Sequence, residues 1–411
     1  MSQPATASTR ALEAFRAPHY GKVWSSNLLQ TLSGQIHVFT LMWLVTDLTT
    51  SRTVLGLVSA ISGATVAVSS PFAGVAVDRF SKRNLLILGR LGTLLVVLCM
   101  MALVAADRIE LWHIFAGAGF AGLLSAISQP ATQTFVFDVV GKDRAQPAVA
   151  LNSAGIGLGQ MGGPALAGFL IATGGSVGSW LTAAAGLALG TLLLLRVPLS
   201  GRAPTRGRAP WLELRDGFAY VVRHPPVLLA LLACAMAFFN GALFAMRPVF
   251  ARYVLEVGSQ GMGTMAAAAG LGTLLGAAAA AFLPTFRRPG IAIALSMLGF
   301  STCIFLYAFA FSYPYILGVE FASGLFAQLW QVATFSGLQM AVPEELRGRV
   351  MGILFTVVQL AQIGGLFVGG LADRVGDQLA MGIFGAIPML FLIGLLAFGH
   401  RQLGRLGAET A

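Results

Sequence analysis

The sequence predicts an all-α polytopic membrane protein with twelve transmembrane helices in two pseudo-symmetric six-helix halves. Three observations carry this. Hydrophobic residues make up 56% of the chain and charged residues only 10%, against about 25% charged in a typical soluble domain. So few charges cannot cover the water-facing surface of 411 residues. Twelve apolar runs are long enough to cross a hydrocarbon core of ~30 Å, which takes about 20 residues of helix. Two segments also match without a gap at an offset of 202 residues. One is Val140-Gly-Lys-Asp-Arg144 followed by Gln160-Met-Gly-Gly-Pro-Ala-Leu-Ala-Gly168. The other is Val342-Pro-Glu-Glu-Leu346 followed by Gln362-Ile-Gly-Gly-Leu-Phe-Val-Gly-Gly370. Each is a short charged loop leading into a Gly-rich apolar helix, the mark of an internal repeat.

Residues 1–22 form a polar, mixed tail without the apolar run and small-residue cleavage site of a signal peptide, so the first span is expected to direct insertion. The first half, 23–196, holds apolar runs at 24–46, 54–77, 85–105, 112–135, 148–173 and 179–195. The second half, 227–399, holds runs at 227–250, 261–283, 291–311, 313–342, 350–372 and 379–398, and 400–411 is a second tail. The connection 197–226 is rich in Arg and Pro. Within it Trp211, Leu214, Phe218, Val221 and Val222 recur at helical spacing, which predicts an amphipathic helix on the membrane surface.

The net charge of +10 raises the possibility of a nucleic-acid partner. The positive residues, however, cluster at the ends of apolar runs. With the N-terminus inside, only five of the 26 Lys and Arg fall in outer segments (Arg52, Arg108, Arg247, Arg252, Arg374), and the other 21 fall in inner ones. That bias predicts cytoplasmic N- and C-termini and no nucleic acid. Cys99, Cys234 and Cys303 lie singly inside apolar runs, without metal-ligand spacing, and are expected to be small packing residues. No metal site is expected.

A membrane chain of two similar halves is usually a secondary transporter with its site between the halves. No P-loop pattern is present, so no ATP and no cofactor is expected. The expected partners are a small-molecule substrate and the lipid bilayer.

The loop after the second run reads Gly74-Val-Ala-Val-Asp78-Arg79-Phe80-Ser81-Lys82-Arg83. It resembles the signature loop of the major facilitator superfamily, with Ser81 where that family usually has Gly. The resemblance implies that Gly74, Asp78, Arg79, Lys82 and Arg83 form a conformational latch, Asp78 meeting the start of a helix in the other half. A helix N-terminus stabilises such a carboxylate. The corresponding loop at 284–288 keeps the basic pair Arg287-Arg288 and lacks the Asp. The stretch Val342-Pro343-Glu344-Glu345-Leu-Arg347-Gly-Arg349 is similar to a charged loop of the twelve-span drug:proton antiporter branch, which includes siderophore and macrolide efflux proteins. Glu344, Glu345, Arg347 and Arg349 would be its charged residues. Together with 47–56, the resemblance runs from about Phe15 to about Gly399, and it implies the proton gradient as energy source and a monomer. One expected residue is missing: where many such antiporters carry Arg early in the fourth span, the nearest equivalent is His113.

Polar residues inside spans are costly and face a cavity or another helix. Asn27, Gln30, Gly34 and His37 fall along one face of the first span. Glu320, Gly324, Gln328, Gln331, Phe335 and Gln339 fall along one face of the tenth. In the resembled superfamily the first, fourth, seventh and tenth spans line the cavity. Asn27, Gln30, His37, Arg247, Gln328, Gln331 and Phe335 are therefore candidate cavity residues, with interhelical hydrogen bonding as the alternative. For proton coupling the candidates are Glu320 first and Asp47 second; Glu320 could instead form a structural pair with Arg247. The Gly-rich fifth and eleventh spans predict close helix packing, with a kink at Pro164. The expected function is export of small amphipathic molecules, a siderophore-type metabolite or an antibiotic, across a bacterial inner membrane. An uptake carrier of the same fold is the alternative. A membrane enzyme would need clustered ionisable groups at the interface, and a sensor an added soluble domain; neither is seen in the sequence.

Overall fold

The computed structural model describes residues 13–141, 144–198, 218–282 and 288–406. Residues 1–12, 407–411 and most of the 197–226 connection, including the first part of the expected amphipathic helix, lie outside the described residues. No strand occurs among the described residues. The helices, numbered in chain order, are α1 (Tyr20–Leu48), α2 (Arg52–Arg79), α3 (Lys82–Ala105) and α4 (Leu111–Val140). The element Ala145–Leu195 is two helices, α5 (145–174) and α6 (176–195), separated by Gly175. Then follow α7 (Pro225–Val254), α8 (Gly258–Phe282), α9 (Pro289–Leu306), α10 (Tyr313–Ala341), α11 (Glu344–Val375) and α12 (Asp377–Leu403).

The break between α5 and α6 comes at Gly175, with φ 67° and ψ −177°. L-residues avoid this region and glycine adopts it freely. Pro164 lies inside α5, where the dihedrals stay helical. Chain reversal at Gly175 is read from what α1 touches. Tyr20 and Trp24 donate to the carbonyls of Ala148 and Leu151 at 2.9 and 2.8 Å, and Gly163 packs on Gln35, so α5 runs parallel to α1. Ser26 donates to Gly190, while Thr40 pairs with Ser179 at 2.7 Å, so α6 runs antiparallel to α1.

The chain divides into two compact units, one of 1–44 with 65–206, the other of 45–64 with 207–411. The second boundary falls inside the Arg-rich connection. The first half of α2 groups with the second unit. In the first unit, Tyr20, Val23, Phe135, Val136, Ala148 and Leu194 form an apolar core where α1, α4, α5 and α6 meet. In the second, α8 packs parallel to α10, and α9 packs antiparallel to α12. Helix α7 meets α11 backbone to backbone: a Cβ on Gly241 would overlap the Ala361 carbonyl, and one on Gly364 would overlap that of Phe238. Such contact lets helices associate where no hydrophobic effect drives them together. Helix α7 itself changes winding twice, to 3-10 at Met236–Asn240 and to π at Phe250–Val254, just after Pro248. A proline has no N–H for the helical ladder, and local changes of winding absorb the loss.

Large apolar side chains face outward in stripes, among them Leu88, Leu91 and Leu95 on α3 and Leu181, Leu189 and Leu192 on α6. Water would penalise these faces; a lipid bilayer does not.

Candidate functional site

Two polar clusters lie inside the helical units, one in each. In the second unit, Glu320 sits two turns into α10 and is 0% exposed. Its carboxylate receives the Arg247 guanidinium as a fork, Nε to Oε1 at 2.7 Å and Nη2 to Oε2 at 2.8 Å. The Tyr307 hydroxyl, from the 3-10 turn that ends α9, donates to the same Oε1. Arg247 is placed by α7 directly before Pro248. Three helices thus converge on one carboxylate. Bidentate charge-assisted hydrogen bonds are among the strongest available, and burial raises the penalty for breaking only one side. Chemically, a proton on Glu320 would cancel the charge that holds Arg247, so protonation and release of a helix contact are linked.

The rest of the α10 stripe is divided. Gly324 lies against α8 so closely that a Cβ would overlap the Ala269 carbonyl, and Gln328 packs beside Gly276 of the same helix. Phe335 stacks on Phe355 with ring centroids 5.6 Å apart, and Gln331 is exposed. Glu320 and these residues share a sequence stripe and meet different neighbours.

In the first unit the cluster centres on a residue the sequence reading passed over. Arg90, counted among the inner charges, is 2% exposed inside α3. It donates through Nη2 to Asn27 Oδ1 at 2.7 Å, through Nη1 to the Gly190 carbonyl at 3.2 Å, and to Ser26 Oγ. Asn27 in turn donates to Asn152 Oδ1 at 3.1 Å. The chain Asn152–Asn27–Arg90–Gly190 ties α5, α1, α3 and α6. Among the described residues no carboxylate lies within ion-pair distance of Arg90, and its Nε has no hydrogen-bond partner. The missed signal was an ionisable residue in the second turn of an otherwise apolar helix. Farther along α1, His37 is buried with both ring nitrogens unpartnered among the described residues, its ring 6.2 Å from Trp180; Gln30 Oε1 is likewise buried and unpartnered.

The signature loop is built around helix ends. Ser81 is the N-cap of α3, its Oγ accepting from Asn84 N at 3.4 Å, with extended backbone that needs no glycine. Lys82 is buried and pairs with Asp138 of α4 at 2.7 Å. Arg83 donates to the Leu194 and Leu195 carbonyls at 3.4 and 2.6 Å, closing the last turn of α6. Arg79 is exposed. Gly74 and Asp78 lie in the last turns of α2, and the Asp78 side chain and the surroundings of Gly74 lie outside the described residues, as do the side chains of Glu344 and Glu345 at the start of α11. Arg347 is exposed and Arg349 half-buried. Asp47, 41% exposed, pairs with Arg252 at the end of α7; Arg252 also donates to Thr46 Oγ1 at 2.8 Å. His113 accepts from the Glu110 backbone N–H at 3.1 Å and stacks on Trp112, and so serves the start of α4.

Residues 23–365 match the Major Facilitator Superfamily. The chain is 29% identical over 372 residues to the enterobactin exporter EntS of Shigella boydii serotype 4 (strain Sb227), covering 85% of this chain and 86% of that protein. It is 29% identical over 365 residues to the enterobactin exporter EntS of Escherichia coli O139:H28 (strain E24377A / ETEC), covering 84% of each. Its fold is similar to that of a POT family transporter in complex with 5-aminolevulinic acid, with a TM-score of 0.77 at 13% identity over 94% of this chain and 97% of that one. The nucleoside transporter NupG has a TM-score of 0.71 at 14% identity over 92% and 99%. At such identities these structures share the fold alone. The chain belongs to the Major Facilitator Superfamily and is a multi-pass membrane transporter, not an enzyme.

Proposed function

We propose that this chain exports a small amphipathic metabolite of the siderophore type, by proton antiport with alternating access. The observation that carries the coupling is the buried carboxylate of Glu320, held by Arg247 and Tyr307 from two other helices. Cargo class and direction rest on similarity along most of the chain to exporters named for enterobactin. The charge bias supports cytoplasmic termini and an α1–α2 turn on the outside; taking the buried Arg90 and the half-buried Arg247 out of the count leaves that bias intact, and the exporter-like similarity supports a bacterial inner membrane.

In this mechanism a proton arriving from outside neutralises Glu320. The Arg247 fork then loses its charged acceptor, and the contact joining α7, α9 and α10 loosens. Release of the proton to the cytoplasm restores the pair, so each turnover exchanges one charge state for another at a fixed site. The cycle requires no bound cofactor and runs in the monomer. Asn27, Gln30 and His37 offer hydrogen-bonding groups to a polar cargo. Arg79, with Asp78, Lys82 and Arg83, forms the inner latch, and Glu344, Glu345, Arg347 and Arg349 form the charged loop at the start of α11.

The test is enterobactin release by an exporter-deficient Escherichia coli strain carrying this chain. Restored release that stops on addition of a protonophore, and that Glu320→Gln uncouples from the gradient, is the expected result. Release that Glu320→Gln leaves untouched and still gradient-driven would sink the assignment of Glu320.

A further inference from the structure

Helix α11 ends in Gly369-Gly-Leu-Ala-Asp373-Arg374. Glycine, three residues, then Asp-Arg is also the spacing of Gly74-Val-Ala-Val-Asp78-Arg79 at the end of α2. The two motifs close helices that run antiparallel: Gly56 of α2 lies against Gly365, and Gly63 against Gln362.

The Asp373 carboxylate is fully engaged. Its Oδ1 accepts from the Arg52 backbone N–H at 2.8 Å. Its Oδ2 accepts from the Thr53 N–H at 3.0 Å, the Thr53 hydroxyl at 2.6 Å and the Ser51 hydroxyl at 2.9 Å. The two backbone donors belong to the first turn of α2 and have no partner within their own helix. Asp373 thus caps α2 from outside it, where the helix dipole favours negative charge. Glycine at the head of the motif has a physical reason: a Cβ on Gly369 would overlap the Arg52 carbonyl. Beside the cap, Arg52 forks onto Asp377 at the start of α12, Nε to Oδ1 and Nη2 to Oδ2 both at 2.9 Å, and its guanidinium lies 4.8 Å from the Tyr253 ring centroid.

We propose that residues 369–374 are a second latch loop, with Asp373 as its carboxylate, and that it holds α2 to α11 in one state of the transport cycle and releases it in another. Asp373 is exposed, so on opening every one of its hydrogen bonds is exchanged for one to water. Such a contact is specific in geometry and low in net cost, which suits a switch. The proposal rests on the transport reading above.

The test uses the full chain in lipid nanodiscs, with Cys99, Cys234 and Cys303 replaced by Ser and Ser59→Cys as reporter. Ser59 is buried on α2, two turns beyond Arg52. Labelling by a hydrophilic maleimide reports opening, without any cargo. Asp373→Leu should label on the order of tenfold faster, a one-decade shift of a two-state equilibrium. Arg52→Asp or Asp377→Arg alone should also accelerate labelling, and the two together should restore the slow rate. For a folding control, a chain with Ser51→Cys and Asp373→Cys added to the Ser59→Cys reporter should label at position 59, resolved by peptide mass spectrometry, slowly when oxidised and rapidly when reduced, reversibly in one preparation. Parental rates for both Asp373→Leu and the reduced double-cysteine chain would overturn the latch. Fast labelling of Asp373→Leu in a chain that releases no enterobactin would support the latch and overturn only the export reading.

Discussion

Glu320 keeps its charge away from water because Arg247 and Tyr307 reach its carboxylate from two other helices, Arg247 on both oxygens and Tyr307 on Oε1. That arrangement fixes what its variants should do. Arg247→Ala leaves a buried carboxylate without its counter-ion and should cost roughly 3–5 kcal/mol, the range for half-broken buried pairs. Glu320→Leu combined with Arg247→Met removes both charges and should unfold at a higher temperature than Arg247→Ala; thermal unfolding in detergent decides it, and a double variant less stable than the single one would contradict the account. Arg90 makes a different prediction, since its partners are neutral. Arg90→Lys keeps the charge and cannot reach Asn27, Ser26 and Gly190 together, so it should fall well short of wild type in stability. Rescue by Lys would mean that charge alone matters. The pairing of Glu320 with Arg247 was one of two readings open from the sequence, because both are ionisable residues inside apolar runs. Arg90 was not legible: it lies seven residues after Arg83, close enough to a basic loop to pass for an interfacial charge.

At the scale of elements, close backbone contact sets the tolerances. Gly364→Val would place a branched side chain where the Phe238 carbonyl stands, and overpacking of this kind costs about 1–3 kcal/mol or more. It should lower the unfolding temperature sharply, whereas Gly394→Val, at a position with nothing within 4 Å, should not. At Gly175 the penalty comes from conformation, not space, since nothing lies within 4 Å of it either. Gly175→Ala forces an L-residue into a glycine-only region, at a cost of order 1–3 kcal/mol. Equal stability of Gly175→Ala and the parent would refute that. Helix number and the α5–α6 reversal were legible because Gly174, Gly175 and Gly178 interrupt an apolar run. The helical winding kept through Pro164 was not, since winding is settled by what α5 packs against. The capping of α2 by Asp373 was hidden for the same reason: an N-cap supplied by a residue about 320 positions away leaves no local signature.

For the molecule as a whole, composition determines the medium and the repeat determines the architecture. The charges are then few enough for each to carry a specific duty. Lys82 with Asp138, Arg83 on the end of α6, Arg52 with Asp377 and Arg252 with Asp47 all serve helix ends. Among the described residues, Glu320 with Arg247 is the ion pair whose carboxylate is wholly removed from water. A transporter coupled to protons needs one carboxylate that can lose its counter-ion as the helices move, and this pair fits that requirement. The direct measurement is proton movement in proteoliposomes containing the purified chain, followed with a pH-sensitive dye under an imposed pH gradient. Addition of enterobactin should dissipate the gradient through the wild-type chain and leave it intact through Glu320→Gln. Equal enterobactin-driven proton flux through both proteins would contradict the account.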